Sequence, residues 1–160
     1  MTNEAKKSNL ASKLEDARRN LLTITKTLSE SNLQKKYATD EGTWTILDVI
    51  RHLSISEKGM TTLVQQIQRG EEGVPADFDL KRYNKRSVEK IADKNLPQIL
   101  SEMETNRQNL FTVMKSMNDF DWGKKGRHAS LRILTIEEVL NTIADHEANH
   151  LKKIKEKLAR

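Results

Sequence analysis

The chain has 160 residues and a mass of 18.4 kDa, with 36% hydrophobic and 32% charged residues, a mean hydropathy of -0.73 and a formal net charge of +5. That length supports one domain over residues 1–160, and the lack of cysteine excludes disulfide scaffolds, thiolate metal sites, iron–sulfur clusters and cysteine nucleophiles, leaving His and carboxylates as the only available metal ligands. With 6 Gly and 2 Pro and no alternating runs of β-branched or aromatic residues, apolar side chains must gather into helical stripes, so the expected class is all-α; Lys and Arg alternate with Asp and Glu, so charge alone gives no reason to expect a nucleic-acid partner.

In chain order, Leu10, Leu14, Leu21, Ile24 and Leu28, with Ala17 between them, recur at spacings of three and four and predict a first long helix over about 5–30. Residues 31–43 break the pattern and close on a turn at Glu41-Gly42-Thr43. Thr45 with Asp48 three residues later forms a capping box, which starts the second helix near Ile46. Its stripe is Ile46, Val49, Ile50, Leu53, Met60, Val64 and Ile67, and it stops at Gly70. Residues 71–82 are irregular, and 83–92 predict a short helix within a long connection. Asn95 caps a third long helix, with Pro97 in its first turn and a stripe running from Leu96 to Met117. Residues 118–134 connect to a second capping box, Thr135 with Glu138, which opens a fourth helix reaching the C-terminus. The cluster of Lys152, Lys153, Lys155, Lys157 and Arg160 lies where the negative end of the helix dipole favours cations. The result is a four-helix bundle with long connectors and no visible internal repeat.

Of the four histidines, His146 and His150 are four apart and share one helix face with Val139, Ile143 and Ile154. Two imidazoles on a core-facing stripe are costly to solvate internally, and a shared cation would resolve that cost. His52, on the flank of the second helix, supplies a third nitrogen; its level matches that of His150 best if the second and fourth helices run antiparallel, and less well if they run parallel. Three imidazoles with capacity to spare are the donor set of a catalytic-type first-row metal centre. His128 lies in a loop beside Lys124 and Lys125 and is left out of the ligand set. His146-Glu147-Ala148-Asn149-His150 also fits the H-E-x-x-H pattern of zinc proteases, but only Glu156 follows as a possible third ligand, and no sheet edge is expected to hold a peptide. Glu147 and Glu57 point toward the apolar stripes. Each either orients a histidine or activates water, or else pairs with a Lys or Arg, which is the simpler reading. Trp44 and Trp122 either wall a pocket or seal the ends of the core.

Trp44-Thr45-Ile46-Leu47-Asp48-Val49-Ile50-Arg51-His52-Leu53, the Tyr83-Asn84 pair after the long connector, and Thr135-Ile136-Glu137-Glu138 leading into His146 and His150 together resemble the DinB-like superfamily of metalloenzymes. The resemblance covers nearly the whole chain and implies a bundle that binds a divalent metal, often nickel or zinc, through His52, His146 and His150. It also implies homodimers and, from relatives that are bacillithiol or mycothiol transferases or a thiol-dependent isomerase, a low-molecular-weight thiol as a small-molecule partner. The family name, taken from damage-inducible expression, is no evidence of DNA repair.

The function expected from these residues is a metal-dependent thiol transferase. A non-enzymatic stress-response or binding module with a structural metal, and a metal-dependent hydrolase using Glu147 as base, are the alternatives. No stretch approaches the roughly 18 apolar residues of a membrane span, and Met1–Leu10 is polar, so a cytoplasmic protein without a membrane partner is expected.

Overall fold

The computed structural model describes residues 2–160. Four long helices carry the fold: α1 (Asn3–Thr25), α3 (Ile46–Gln68), α5 (Leu96–Ser116) and α6 (Ile136–Leu158). Between them lie α2 (Glu30–Leu33), strands β1 (Lys36–Thr39) and β2 (Gly42–Thr45), α4 (Leu80–Lys90), a 3-10 turn at Asp121–Gly123, and strands β3 (Lys125–Arg127) and β4 (Ile133–Thr135). Among the described residues, no helix is long and apolar enough to cross a membrane.

Ion pairs fix the helix directions. Lys6–Glu137, Lys13–Asp145 and Arg18–Glu147 climb α1 and α6 together, so these helices run parallel. The start of α3, through Ile46, Val49 and Ile50, packs with Ile99 and Met103 of α5 and with Leu151 and Ile154 near the end of α6. Its far end, through Leu63, Val64 and Ile67, packs with Leu110 and Met114 of α5 and with Ile136 and Val139. Hence α3 is parallel to α5 and antiparallel to α6. Two adjacent parallel pairs require one long crossover, and residues 69–95, including α4, supply it by running back along α3.

The first predicted helix is corrected at its end. Thr25 closes α1, and Ser29 starts α2 by accepting a hydrogen bond from the Asn32 N–H. Leu28 continues the apolar spacing from the intervening turn, where it packs against the core without being helical. The connectors also hold two antiparallel ribbons, β1–β2 and β3–β4, which the periodicity did not reveal.

Each ribbon feeds a helix in the same way. Thr45 and Thr135 are N-caps with identical backbone angles, φ -74 and ψ 161, and both close capping boxes, with Asp48 and Glu138. The N–H of Ile46 donates to the Lys35 carbonyl at 3.0 Å and that of Ile136 to the Lys124 carbonyl at 2.9 Å. The chain is therefore two helix–ribbon–helix halves, α1–α3 and α5–α6, related by an approximate two-fold exchange. This internal repeat was not visible in the sequence.

The crossover is pinned at Gly73, which has φ +96 and lies so close to Arg127 that an added Cβ would sit 2.4 Å from the Arg127 carbonyl oxygen. The adjoining Val74 N–H donates to that same oxygen at 3.0 Å. Gly73→Ala must move one of two backbones as well as hold an L-residue at positive φ, so we expect a loss of about 1–3 kcal/mol in urea unfolding.

Candidate metal centre

The capping boxes set the phase of the helices that bear the histidines. With α3 starting at Ile46, His52 falls on the face toward α6; with α6 starting at Ile136, His146 and His150 fall on the face toward α3. The antiparallel packing brings them to one level. His146 Nε2 lies 3.1 Å from His52 Nε2 and 3.1 Å from His150 Nε2, and one donor atom from each of the three residues falls within a 4.8 Å group. The rings meet edge to face, with centroids 4.6–5.2 Å apart.

These contacts are not a satisfied hydrogen-bond network. The Nε2 of a neutral imidazole carries either a hydrogen or a lone pair, so His146 Nε2 cannot make a well-aligned hydrogen bond to both neighbours. Protonation is opposed as well. Burial, followed by the facing charges of His146 and His150, pushes His52 down to about 2. Burial, followed by His150, His128 and Lys153, takes His146 down to about 3. His150 is lowered by burial and Lys153, with Glu41 and Asp40 pulling the other way. The protein thus gathers neutral nitrogen donors at spacings close to the 3.3–3.4 Å or so expected of ligands at about 2.0–2.1 Å around one tetrahedral ion. The donor set fits a divalent first-row cation.

His52 is held on two sides. Its ring packs on Trp44, centroid to centroid at 5.2 Å, and Ser56 Oγ lies 3.3 Å from its Nδ1, one helical turn on. Trp44 therefore does wall the site, whereas Trp122 is buried in the other half of the core. His128 stays outside the trio: its Nδ1 accepts from the Ser130 N–H at 3.1 Å.

Behind the histidines lies a feature that the sequence reading missed. Arg18 of α1, Glu57 of α3, Arg107 of α5 and Glu147 of α6 form a buried quartet. Arg18 contacts Glu147 at 2.9 Å and Glu57 at 3.5 Å, and Arg107 contacts Glu57 at 2.7 Å and Glu147 at 3.5 Å. Arg18 also donates to the Met103 carbonyl and Arg107 to the Leu14 carbonyl. Each contact of the first half is repeated by the second, so the quartet lies on the approximate two-fold axis and divides the apolar core into two clusters. Burial raises Glu57, and Arg107 and Arg18 draw it back down. Of the two roles considered for Glu57 and Glu147, pairing with a cation is the one found, deep in the core and with guanidinium groups in place of imidazoles. The available signal was an arginine inside each apolar stripe, Arg18 between Leu14 and Leu21 and Arg107 between Met103 and Leu110.

Comparison with known proteins agrees with this architecture. A family model described as the DinB superfamily matches residues 13–154. The uncharacterized protein YuaE of Bacillus subtilis (strain 168) is 26% identical over 148 residues, covering 84% of this chain and 90% of YuaE. Among solved structures, YfiT from Bacillus subtilis, described as a probable metal-dependent hydrolase with an unusual four-helix bundle topology, superposes with a TM-score of 0.75 at 19% identity, covering 99% of this chain and 90% of that one. A mycothiol-dependent maleylpyruvate isomerase superposes with a TM-score of 0.74 at 13% identity, covering 96% of this chain and 61% of the isomerase.

Proposed function

The chain belongs to the DinB superfamily, and from that premise we propose that it is a metal-dependent enzyme acting on a small-molecule thiol, with His52, His146 and His150 holding a divalent zinc- or nickel-type cation. The observation that carries the reading is the double 3.1 Å approach to His146 Nε2, which hydrogen bonding between neutral rings cannot satisfy. Three protein donors are the set used by catalytic centres, whereas structural zinc is closed by four. A bound cation of this class favours the anion of a coordinating thiol or water.

The chain's own groups prepare that event. Burial keeps the imidazoles neutral and available as lone-pair donors. Ser56 engages His52 Nδ1 and so helps to orient the ring, while Trp44 covers its face. Because the protein has no cysteine, the sulfur nucleophile must arrive with the substrate. In the transfer, sulfur forms the new S–C bond to an electrophile, the leaving group departs with its bonding pair, and the thiol proton passes to solvent. The fold likeness to a mycothiol-dependent enzyme supports a thiol as co-substrate. A cytoplasmic homodimer is part of the same reading.

Metal-assisted hydrolysis is the second reading, favoured by the likeness to YfiT. It lacks its expected base, because Glu57 and Glu147 are engaged by arginines within the core. A binding module with a structural metal would want a fourth protein donor, and among the described residues the ligand group contains three.

The test is conjugation of a panel of electrophiles with bacillithiol, glutathione or coenzyme A by zinc- or nickel-loaded protein. We expect turnover with at least one thiol, abolished by chelation. Loss of every electrophile at the uncatalysed rate with all thiols would remove the transferase assignment and leave the metal centre standing.

A further inference from the structure

The hydroxyl groups bordering the histidine-bearing faces of α3 and α6 are not equally engaged. Ser56 Oγ lies against the His52 ring, 3.3 Å from Nδ1. Thr142, one turn before His146 on α6, donates its hydroxyl proton to the Glu138 carbonyl at 2.8 Å. Tyr83 of α4 differs from both: it is 43% exposed, and its hydroxyl makes no hydrogen bond among the described residues. That hydroxyl stands over α3 at Gly59, where an added Cβ would meet the Tyr83 oxygen at 3.9 Å. Gly59 follows His52 by seven residues, or two turns, so the two share a helix face with about 10 Å of rise between them.

Gly59 itself asks for an explanation. Only proline is less favourable than glycine in a helix interior, yet this glycine is exposed in the middle of α3, and no backbone lies close enough to require it. What it provides is open surface beside the tyrosine hydroxyl. Tyr83 is in turn held from three sides. Its N–H donates to the Asp79 carbonyl at 3.0 Å, and its ring packs on Phe78 with centroids 5.3 Å apart. The adjoining Asn84 is buried and donates from Nδ2 to Glu41 Oε1 at 3.0 Å.

Resting on the metal-centre and thiol readings above, we propose that Tyr83 is a substrate-binding residue: its hydroxyl hydrogen-bonds the polar tail of a thiol whose sulfur lies at the histidines, and Gly59 keeps the surface between them open for that tail. His146 and His150 are half-buried, so this face is reachable from solvent. The rise of about 10 Å sets the substrate class. It selects thiols that carry an amide, carboxylate or sugar hydroxyl at that reach from sulfur, groups to which a phenol can donate. A two-carbon thiol is too short to touch both ends.

The test titrates cobalt(II)-loaded protein with bacillithiol, glutathione, coenzyme A and 2-mercaptoethanol, reading affinity from the sulfur-to-cobalt charge-transfer absorption. In the parent, at least one of the longer thiols should bind more tightly than 2-mercaptoethanol. A hydrogen bond of ordinary net strength corresponds to about 2- to 10-fold in affinity. Tyr83→Phe, which removes one oxygen and keeps the ring on Phe78, should weaken the preferred thiol by that factor and leave 2-mercaptoethanol unchanged. Gly59→Leu, which fills the same surface from the other side, should act in the same direction. The proposal is overturned if Tyr83→Phe binds every longer thiol like the parent, or if it weakens 2-mercaptoethanol as much as the others. A parent that binds cobalt but gives no charge-transfer band with any thiol would remove the thiol reading and this inference with it. A parent that binds no cobalt would remove the metal centre first.

Discussion

If the proposed three-histidine centre holds a divalent metal, His146→Ala is expected to abolish its stoichiometric binding and, with it, any stabilisation that the metal would give the folded chain. His146 is the middle donor, its Nε2 lying 3.1 Å from both other Nε2 atoms, so its removal leaves one nitrogen on α3 facing one on α6. For the parent, metal at a hundred times its dissociation constant adds about 2.7 kcal/mol by mass action, provided that the unfolded chain binds weakly. Loss of a direct ligand should exceed the 10- to 100-fold or so seen when only an outer partner is removed, so the variant's gain at the same metal concentration should approach zero. The metal-free variant should remain folded. Its deletion relieves a crowded set of unprotonated rings and leaves the apolar clusters on either side untouched. Urea unfolding with and without metal measures both quantities, and an undiminished gain in His146→Ala would place the ion elsewhere.

What the sequence disclosed follows from the range over which each signal acts. Thr45 with Asp48 and Thr135 with Glu138 are pairs three residues apart, and the structure uses both as capping boxes. The histidine trio was legible because two members share a helix face at a four-residue spacing and the third lies on a second amphipathic helix. The ribbons were not legible. Lys125-Gly126-Arg127 carries no strand propensity, and it pairs because Gly126 lets the backbone settle on Ile67, where a Cβ would come within 2.5 Å of Cγ1. The end of α1 was misplaced because Leu28 keeps helical spacing by coincidence of packing in a turn, while Ser29 restarts the count. The approximate repeat was hidden for a related reason. Its matching residues, Arg18 and Arg107, Thr45 and Thr135, Glu57 and Glu147, are few, and their equivalence appears only when four helices are assembled.

That equivalence makes the buried quartet the most sensitive part of the core. Arg107→Met leaves Glu57 without its contacts at 2.9 and 2.7 Å to the guanidinium and deprives the Leu14 carbonyl of a donor at 2.7 Å. Removing one partner of a buried ion pair strands a charge in the core, at a cost of about 3–5 kcal/mol in urea unfolding. The pH dependence has a definite sign. Burial raises Glu57, and without Arg107 less opposes it. A carboxyl that holds its proton more tightly in the folded than in the unfolded chain contributes stability at low pH that is lost as pH rises, so the deficit should be larger at pH 8 than at pH 5. Arg18 makes the corresponding contacts to Glu147 and to the Met103 carbonyl, so Arg18→Met should show a deficit of similar size. The double variant should cost less than the sum of the two, because both arginines serve the same pair of carboxylates. Replacing all four residues with Met and Leu removes the stranded charges together and should recover most of the stability. Strict additivity, or two arginine variants of very different cost, would show that the four groups do not act as one symmetric unit.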